Sequence, residues 1–379
     1  MFSIYVCIVF SVLASITDAG PLDYFGTFPF PKGNGGHGHF NKENAVAKSE
    51  VSCSSYRTPC SSTIFCDGLL LSDASLSEGF DTNNEIFRKS LKYSENQINE
   101  NYIEFKRSNG IEGQVPDSGT LLNFTRQNFD DAQDVTETVP SDYKDETALM
   151  QAINSSEYRD LLKYLQGYWK TAFRVVSKRV EESPDRHSLI YTPNIFPVPG
   201  GQFQELYYWD TYWIITGLFF SDMPDTVKAI IENFLYLIEK LGFIPNGSRV
   251  YYLNRSQPPL LPSMMEFYLN QTKNFDFIQK HLPALEAEFK WFTDNRNVTF
   301  VKDGKTHYMF RYNTCTEKPR PEAFKSDYEI GKDFATDAER DQFYSDIKSA
   351  TESGWDFSTR WIIPADGTNN GMLNFFCSR

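Results

Sequence analysis

The stretch Pro199-Gly200-Gly201-Gln202-Phe203-Gln204-Glu205-Leu206-Tyr207-Tyr208-Trp209-Asp210-Thr211-Tyr212-Trp213 places two glycines, two acids and six aromatic residues directly before an apolar run. The glycines allow a tight turn close to a ligand, the aromatic faces can stack on a ring, and the carboxylates of Glu205 and Asp210 can bind hydroxyl groups. The same composition fits a loop that leads into an aromatic core helix. From these residues alone, a ligand site and ordinary core packing both stay open.

The sequence around this stretch predicts helices. Apolar residues recur at three- and four-residue steps in residues 155–180, with Ser156 as a cap, and form a stripe in residues 222–242, with Pro224 in the first turn and Gly242 as a stop. Residues 211–220, 260–273 and 275–294 are interpreted as further apolar helices. Asp303-Gly304 predicts a hairpin, and residues 81–145 predict one short helix with surface loops. The alternation of helix and loop favours an all-α protein of paired helices over a doubly wound sheet.

The bulk composition excludes some partners. The 379 residues carry a net charge of −13 without a basic run, which disfavours nucleic acid and anionic lipid surfaces. The 32 Phe, 21 Tyr and 6 Trp suit a large core and also suit stacking on ligands.

The N-terminal region predicts export. Residues 2–16 are uncharged and apolar, and a small-residue site follows, so residues 1–19 are interpreted as a signal peptide, with a signal anchor as the alternative. No membrane segment is then expected in the mature, secreted chain. Residues 20–58 are interpreted as a flexible leader, and Cys60 and Cys66 as a small disulfide loop rather than a zinc site. The glycosylation sequons begin at Asn123, Asn154, Asn246, Asn254, Asn270 and Asn297.

Four segments together resemble the trehalase family. The opening stretch matches P-G-G-R-F-x-E-x-Y-x-W-D-x-Y at nine of its ten fixed positions, with Gln202 at the position of the arginine. The other matches are Ile244 to Pro259 with I-P-N-G-x-R-x-Y-Y-x-x-R-S-Q-P-P, Pro319 to Glu322 with P-R-P-E, and Ser353 to Trp361 with S-G-W-D-F-S-S-R-W.

The resemblance implies an (α/α)6 toroid. It covers about residues 59–361, taken as a partial catalytic domain, whereas residues 362–379 do not resemble the family's continuation. A toroid that is incomplete at its C-terminus is therefore expected, and such a fold should expose apolar stripes.

The resemblance also implies a function. Trehalases are inverting glycoside hydrolases that cleave α,α-trehalose to glucose without a cofactor, and their general acid corresponds to Asp356. An acid placed between Trp355 and Phe357 should have a raised pKa, although a capping or ion-paired aspartate is the alternative. The implied sugar-binding residues are Phe203, Trp209, Asp210, Asn246, Arg255, Arg320, Glu322, Ser353 and Gly354.

Two departures qualify the functional prediction. Gln202 keeps a donor but loses a charge-assisted hydrogen bond worth about 1.5–3 kcal/mol. The family's general base, a glutamate, and its Q-W-D signature have no counterpart, although Glu205, Asp210, Glu322 and Glu352 offer carboxylates. A catalytically inactive sugar-binding or regulatory isoform is the alternative function. Either function requires the first and last motifs to lie around one cavity.

Overall fold

The computed structural model describes residues 60–131, 133–201, 203–356 and 358. The predicted signal peptide, leader and C-terminal tail lie outside these residues, as does Gln202. The α-helices are α1 (Leu69–Leu76), α2 (Glu95–Ser108), α3 (Ser118–Asn128), α4 (Ala148–Ala152), α5 (Ser156–Tyr168), α6 (Lys178–Glu182), α7 (Asp210–Phe220), α8 (Pro224–Leu241), α9 (Leu261–Thr272), α10 (Phe275–Arg296), α11 (Phe324–Gly331) and α12 (Asp337–Glu352). The strands are β1 (Ser90–Leu91), β2 (Phe129–Asp130), β3 (Val135–Thr138), β4 (Phe173–Val176), β5 (Phe196–Pro197), β6 (Asn297–Lys302) and β7 (Lys305–Phe310).

The largest core lies among α5 and α7–α10. Helix α8 packs on α7, α9 and α10, and its apolar stripe is buried as predicted. Pro224 occupies its first turn, and Gly242 ends it in the left-handed conformation at φ 82°, which glycine adopts without strain. The prediction of a mostly helical protein is confirmed, since the strands form only small antiparallel sheets in the described residues.

Only the first part of the predicted helix over residues 155–180 is helical in the structure. Helix α5 begins after Ser155, whose side chain accepts from the Tyr158 amide, so Ser155 rather than Ser156 is the cap. The helix ends at Tyr168, and β4 follows, paired with β3 on one side and β5 on the other. The apolar residues of the strand are buried in the same core as those of α5. Their backbone groups form hydrogen bonds in the sheet, so apolar residues at helical spacing can lie in a strand here.

A second core lies under α1, α2 and α3. The prediction of one short helix in residues 81–145 is wrong, because α2 has 14 residues and α3 has 11. Ser94 caps α2 and Asp117 caps α3, and each helix buries a few large side chains. The second core also contains Tyr207, Tyr251 and Tyr252, which come from the segments of the first two motifs.

The predicted hairpin is confirmed. Strands β6 and β7 pair in register from Asn297 with Phe310 to Lys302 with Lys305, and Asp303-Gly304 forms the turn with both φ angles positive. The hairpin exposes large apolar side chains, together with Phe289 of α10. These hairpin side chains are Val301, Tyr308, Met309 and Phe310.

The ends of the described chain are held by specific contacts. A disulfide joins Cys60 and Cys66 before α1, which confirms the predicted disulfide. At the other end, Thr336 and Glu339 form a capping box at the start of α12. No helix in the described part of the chain is long and apolar enough to cross a membrane.

Candidate active site

The first and last motifs lie against each other. Gly354, in the turn that follows α12, has a φ of 70°, and a Cβ atom added there would lie 2.7 Å from Cζ2 of Trp209. Only a glycine lets the indole lie so close to this backbone. The first and last motifs are therefore in contact, and the cavity that the functional prediction requires between them stays a prediction.

The first motif begins with a glycine turn. Gly200 and Gly201 have φ angles of 105° and 62°, and the Phe203 amide donates to the Gly200 carbonyl at 3.2 Å. The Phe203 side chain is 40% exposed, and its ring lies edge-on to Tyr207 with centroids 5.6 Å apart. The turn therefore leaves an aromatic face available at the surface.

Residues of the second motif form hydrogen bonds with the two residues directly before α7. The Trp209 amide donates to Oε1 of Gln257 at 3.2 Å, and the Tyr208 amide donates to the Asn246 carbonyl at 3.1 Å. Asp210 is the first residue of α7, so its carboxyl group stands directly after these two anchored residues.

Arg255 forms the charged centre of the site. Its Nε donates to Oδ1 of Asn246 at 2.9 Å, its Nη2 donates to Oε1 of Glu322 at 2.5 Å, and the guanidinium lies 4.9 Å from the Tyr252 ring centroid. Nη1 of Arg255 and Oε2 of Glu322 are buried without a hydrogen-bond partner in the described part of the chain. A buried polar atom left unpaired costs about 1–3 kcal/mol, so a hydrogen-bond partner for either atom would stabilise the site.

The carboxyl groups of the site differ in the direction in which their pKa values are shifted. Burial raises the pKa of Asp356, against the opposing effect of Arg320 and Arg255. Burial also raises the pKa of Asp210, and the neighbouring charge of Asp356 adds to this shift. Burial alone would raise the pKa of Glu322, but Arg255 and Arg320 outweigh it and hold the pKa below its usual value. The site thus combines two carboxyl groups whose pKa is raised with one whose pKa is lowered.

Comparison with known proteins identifies the family. The family model described as Trehalase matches residues 80–379. The chain belongs to the trehalase family. It is 39% identical over 315 residues to trehalase of Pimpla hypochondriaca (83% of this chain, 53% of the relative) and 36% identical over 336 residues to trehalase of Tenebrio molitor (88% and 60%).

Trehalase of Homo sapiens is 36% identical over 313 residues, which cover 82% of this chain and 53% of the human protein. The solved structure of neutral trehalase Nth1 from Saccharomyces cerevisiae aligns with a TM-score of 0.36 at 26% identity over 44% of this chain and 34% of that one. The chain spans about half the length of the curated relatives it matches. The mostly helical architecture is consistent with the (α/α)6 toroid expected for a trehalase.

Glu205 of the first motif and Glu352, directly before the last motif, are both paired with arginines. Oε1 of Glu205 accepts from Nε of the buried Arg249 at 2.7 Å, and its Oε2 accepts from the Tyr207 hydroxyl at 3.0 Å. Glu352, fully buried, accepts two hydrogen bonds from Arg296 and one from the Ser256 amide at 2.9 Å. The suggestion that Glu205 holds ligand hydroxyls is therefore corrected, because its oxygens already have protein partners.

Two of the predicted sugar-binding residues also have protein partners. Arg320 donates from Nε and Nη2 to the carboxylate of Asp327 and from Nη1 to the Thr351 hydroxyl at 2.9 Å. The Ser353 hydroxyl donates to the Ala350 carbonyl at 2.5 Å and so ends α12. Contacts of Arg320 and Ser353 with a sugar stay predictions.

Sequence reasoning missed two polar residues of the candidate site. Gln257 stands within the second motif, but its hydrogen bond to Trp209 was not anticipated. Lys348 of α12 is 3% exposed, and burial followed by the charge of Arg255 lowers its pKa to about 8. Lys348 lies four residues after the buried Tyr344 on α12, so helical spacing was the available signal for a buried cation.

Proposed function

We propose that this chain binds α,α-trehalose and hydrolyses it to glucose, with Asp356 as the general acid. The observation that carries the proposal is the contact between Gly354 and Trp209, because it brings the acid's turn to the aromatic motif. Family membership supports the choice of substrate, since curated relatives named trehalase match most of the chain.

The proposed chemistry follows from the charges of the site. Asp356, whose pKa is raised by burial, donates its proton to the glycosidic oxygen as the bond to the anomeric carbon breaks. A water molecule bonds to that carbon from the opposite face, and its proton passes to a second carboxylate. Nη1 of Arg255 donates to a sugar hydroxyl, and Oε2 of Glu322 accepts from another, which satisfies both buried atoms. Trp209 and Phe203 offer aromatic faces to the two rings. This acid–base reaction needs no cofactor.

Inversion needs a second carboxylate about 6.5–9.5 Å from the acid, with room for water. Glu205 and Glu352 are engaged by arginines, so neither is a base candidate in the described part of the chain. The alternative function is that the chain binds trehalose without turning it over.

One experiment separates the two functions. Purified protein is incubated with trehalose, glucose is measured, and affinity is measured by calorimetry, for wild type, Asp356→Asn and the exposed control Asp333→Asn. Glucose release by wild type and Asp333→Asn that Asp356→Asn lacks supports hydrolysis. Binding by all three without glucose supports the second function, and no binding refutes both.

We also propose that the protein is secreted and glycosylated. Among the sequon residues, Asn123, Asn154 and Asn297 are exposed, whereas Asn246 is 3% exposed and bonded to Arg255. The Cys60–Cys66 disulfide suits an oxidising compartment. Expression in a secreting eukaryotic host, with glycan mapping by mass spectrometry, should find glycans at the exposed sequons and none at Asn246. Retention in the cell without glycans contradicts the proposal.

A further inference from the structure

The Tyr208 hydroxyl links three elements beneath the sugar site. Tyr208 is fully buried immediately before Trp209, and its hydroxyl donates to Oε1 of Glu288 on α10 at 2.6 Å. The same hydroxyl accepts from the amide of Leu261, the first residue of α9, at 3.0 Å. The residue that precedes the aromatic and acidic pair of the site is therefore fixed by two other helices.

The backbone amide and the ring of Tyr208 also have specific contacts. Its amide donates to the Asn246 carbonyl at 3.1 Å, and its ring packs on Phe234 of α8 with centroids 5.2 Å apart. Because Trp209 and Asp210 follow directly in the chain, a displacement of Tyr208 moves both of them.

Glu288 lies outside the sugar site, at the wall of a separate cavity of about 380 Å³. Its side chain is 2% exposed, and the cavity is lined mainly by apolar groups, including Leu285, Phe289 and Phe292. Charged and titratable groups that share the cavity are Arg296 of the same helix, paired with Glu352, and Arg311 and Tyr312 from the segment after β7.

The ionisation of this pair is set by burial. Burial raises the pKa of Glu288 to about 7, and the hydrogen bond from Tyr208 acts in the opposite direction. Burial, followed by the charge of Glu288, raises the pKa of Tyr208 well above its usual value, so its hydroxyl remains a donor. A carboxylate accepts a hydrogen bond about twice as strong as a neutral acid does, so the link tightens as Glu288 ionises.

We propose that Glu288 is a positioning residue, which holds Trp209 and Asp210 in the geometry of the sugar site through the Tyr208 hydroxyl. A purely structural Glu288 would affect the stability of the protein and leave Trp209 where it is. The effect on trehalose binding rests on the proposed function, whereas the link between Glu288 and Trp209 does not.

The test follows Trp209 directly. Protein labelled with 5-fluorotryptophan is titrated from pH 5.5 to 8.5 by fluorine NMR, and Trp209 is assigned by the loss of its resonance in Trp209→Phe. We expect a transition near pH 7 in wild type and in Glu286→Gln, an exposed control on the same helix. Because Asp210 and Asp356 also titrate near Trp209, the decisive result is loss of this transition in Glu288→Gln.

Trehalose affinity is measured across the same pH range. Tyr208→Phe, which removes the donor, should bind trehalose about tenfold more weakly than wild type at pH 8, with little change in affinity with pH. If the Trp209 resonance and its titration are the same in Glu288→Gln, Tyr208→Phe and wild type, the proposal is overturned. If wild type binds no trehalose at any pH, the proposed function fails, and the Trp209 titration still decides the role of Glu288.

Discussion

Replacing Gly354 by alanine tests whether the contact between the two motifs builds the sugar site. The backbone at φ 70° costs an alanine about 1–2 kcal/mol. The new Cβ would lie 2.7, 2.8 and 3.0 Å from three carbons of the Trp209 ring, whereas carbon atoms ordinarily stay about 3.5–4.0 Å apart. The indole, or the turn that leads to Asp356, must therefore move by about 1 Å.

A displacement of this size should weaken trehalose binding by at least about tenfold, or ~1.4 kcal/mol, as measured by titration calorimetry. Gly110→Ala is the matched control, because Gly110 has a φ of 64° but nothing lies within 4 Å of the added Cβ. Both variants should lose about 1–2 kcal/mol of unfolding free energy, and only Gly354→Ala should lose affinity. Equal affinities for the two variants would refute the reasoning.

Three further predictions concern charge and covalent links. Glu322→Gln removes the charge that faces Arg255 at 2.5 Å, so calorimetry should find trehalose binding roughly 10- to 100-fold weaker, whereas the exposed Glu329→Gln should bind as wild type does. Burial raises the pKa of Glu288 from 4.5 to about 7, so the folded state binds the extra proton and stability falls as pH rises through this window, by up to about 3 kcal/mol. Urea unfolding at pH 5 and pH 8 should show a smaller loss for Glu288→Gln than for wild type, and equal losses would contradict the assignment. Cys60→Ser opens a loop with a sequence separation of 6 and should cost about 2 kcal/mol, and a reductant should lower the melting temperature of wild type by more than that of Cys60→Ser, because Cys315 is also disulfide-bonded.

The sequence predicted most where local chemistry decides the structure. Pro224 and Gly242 mark the first turn and the end of α8, and Asp303-Gly304 forms the β6–β7 turn, because each depends on backbone conformations that few residues adopt. The end of α5 could not be predicted in the same way. Residues 173–176 keep a helical spacing of apolar side chains, but their pairing with β3 and β5 is a long-range contact that periodicity does not encode.

For the candidate site as well, the sequence predicted some features and not others. The motifs identified Trp209, Gly354 and Asp356, and the structure brings their segments together. The motifs could not show which polar groups are free, because Arg320 and Glu205 find partners on other segments. Availability for a ligand depends on three-dimensional pairing rather than on residue type.

The two hydrophobic cores meet at the tyrosines beside the site. The hydroxyls of Tyr207 and Tyr252 lie 3.0 Å apart, and Tyr252 supports the guanidinium of Arg255. Helices α1–α3 supply none of the predicted sugar-binding side chains, yet they pack beneath both tyrosines. Loosening of this N-terminal layer should therefore disturb the candidate site, and a shortened variant that begins after residue 131 would keep the candidate residues but lose the helices that pack against both tyrosines.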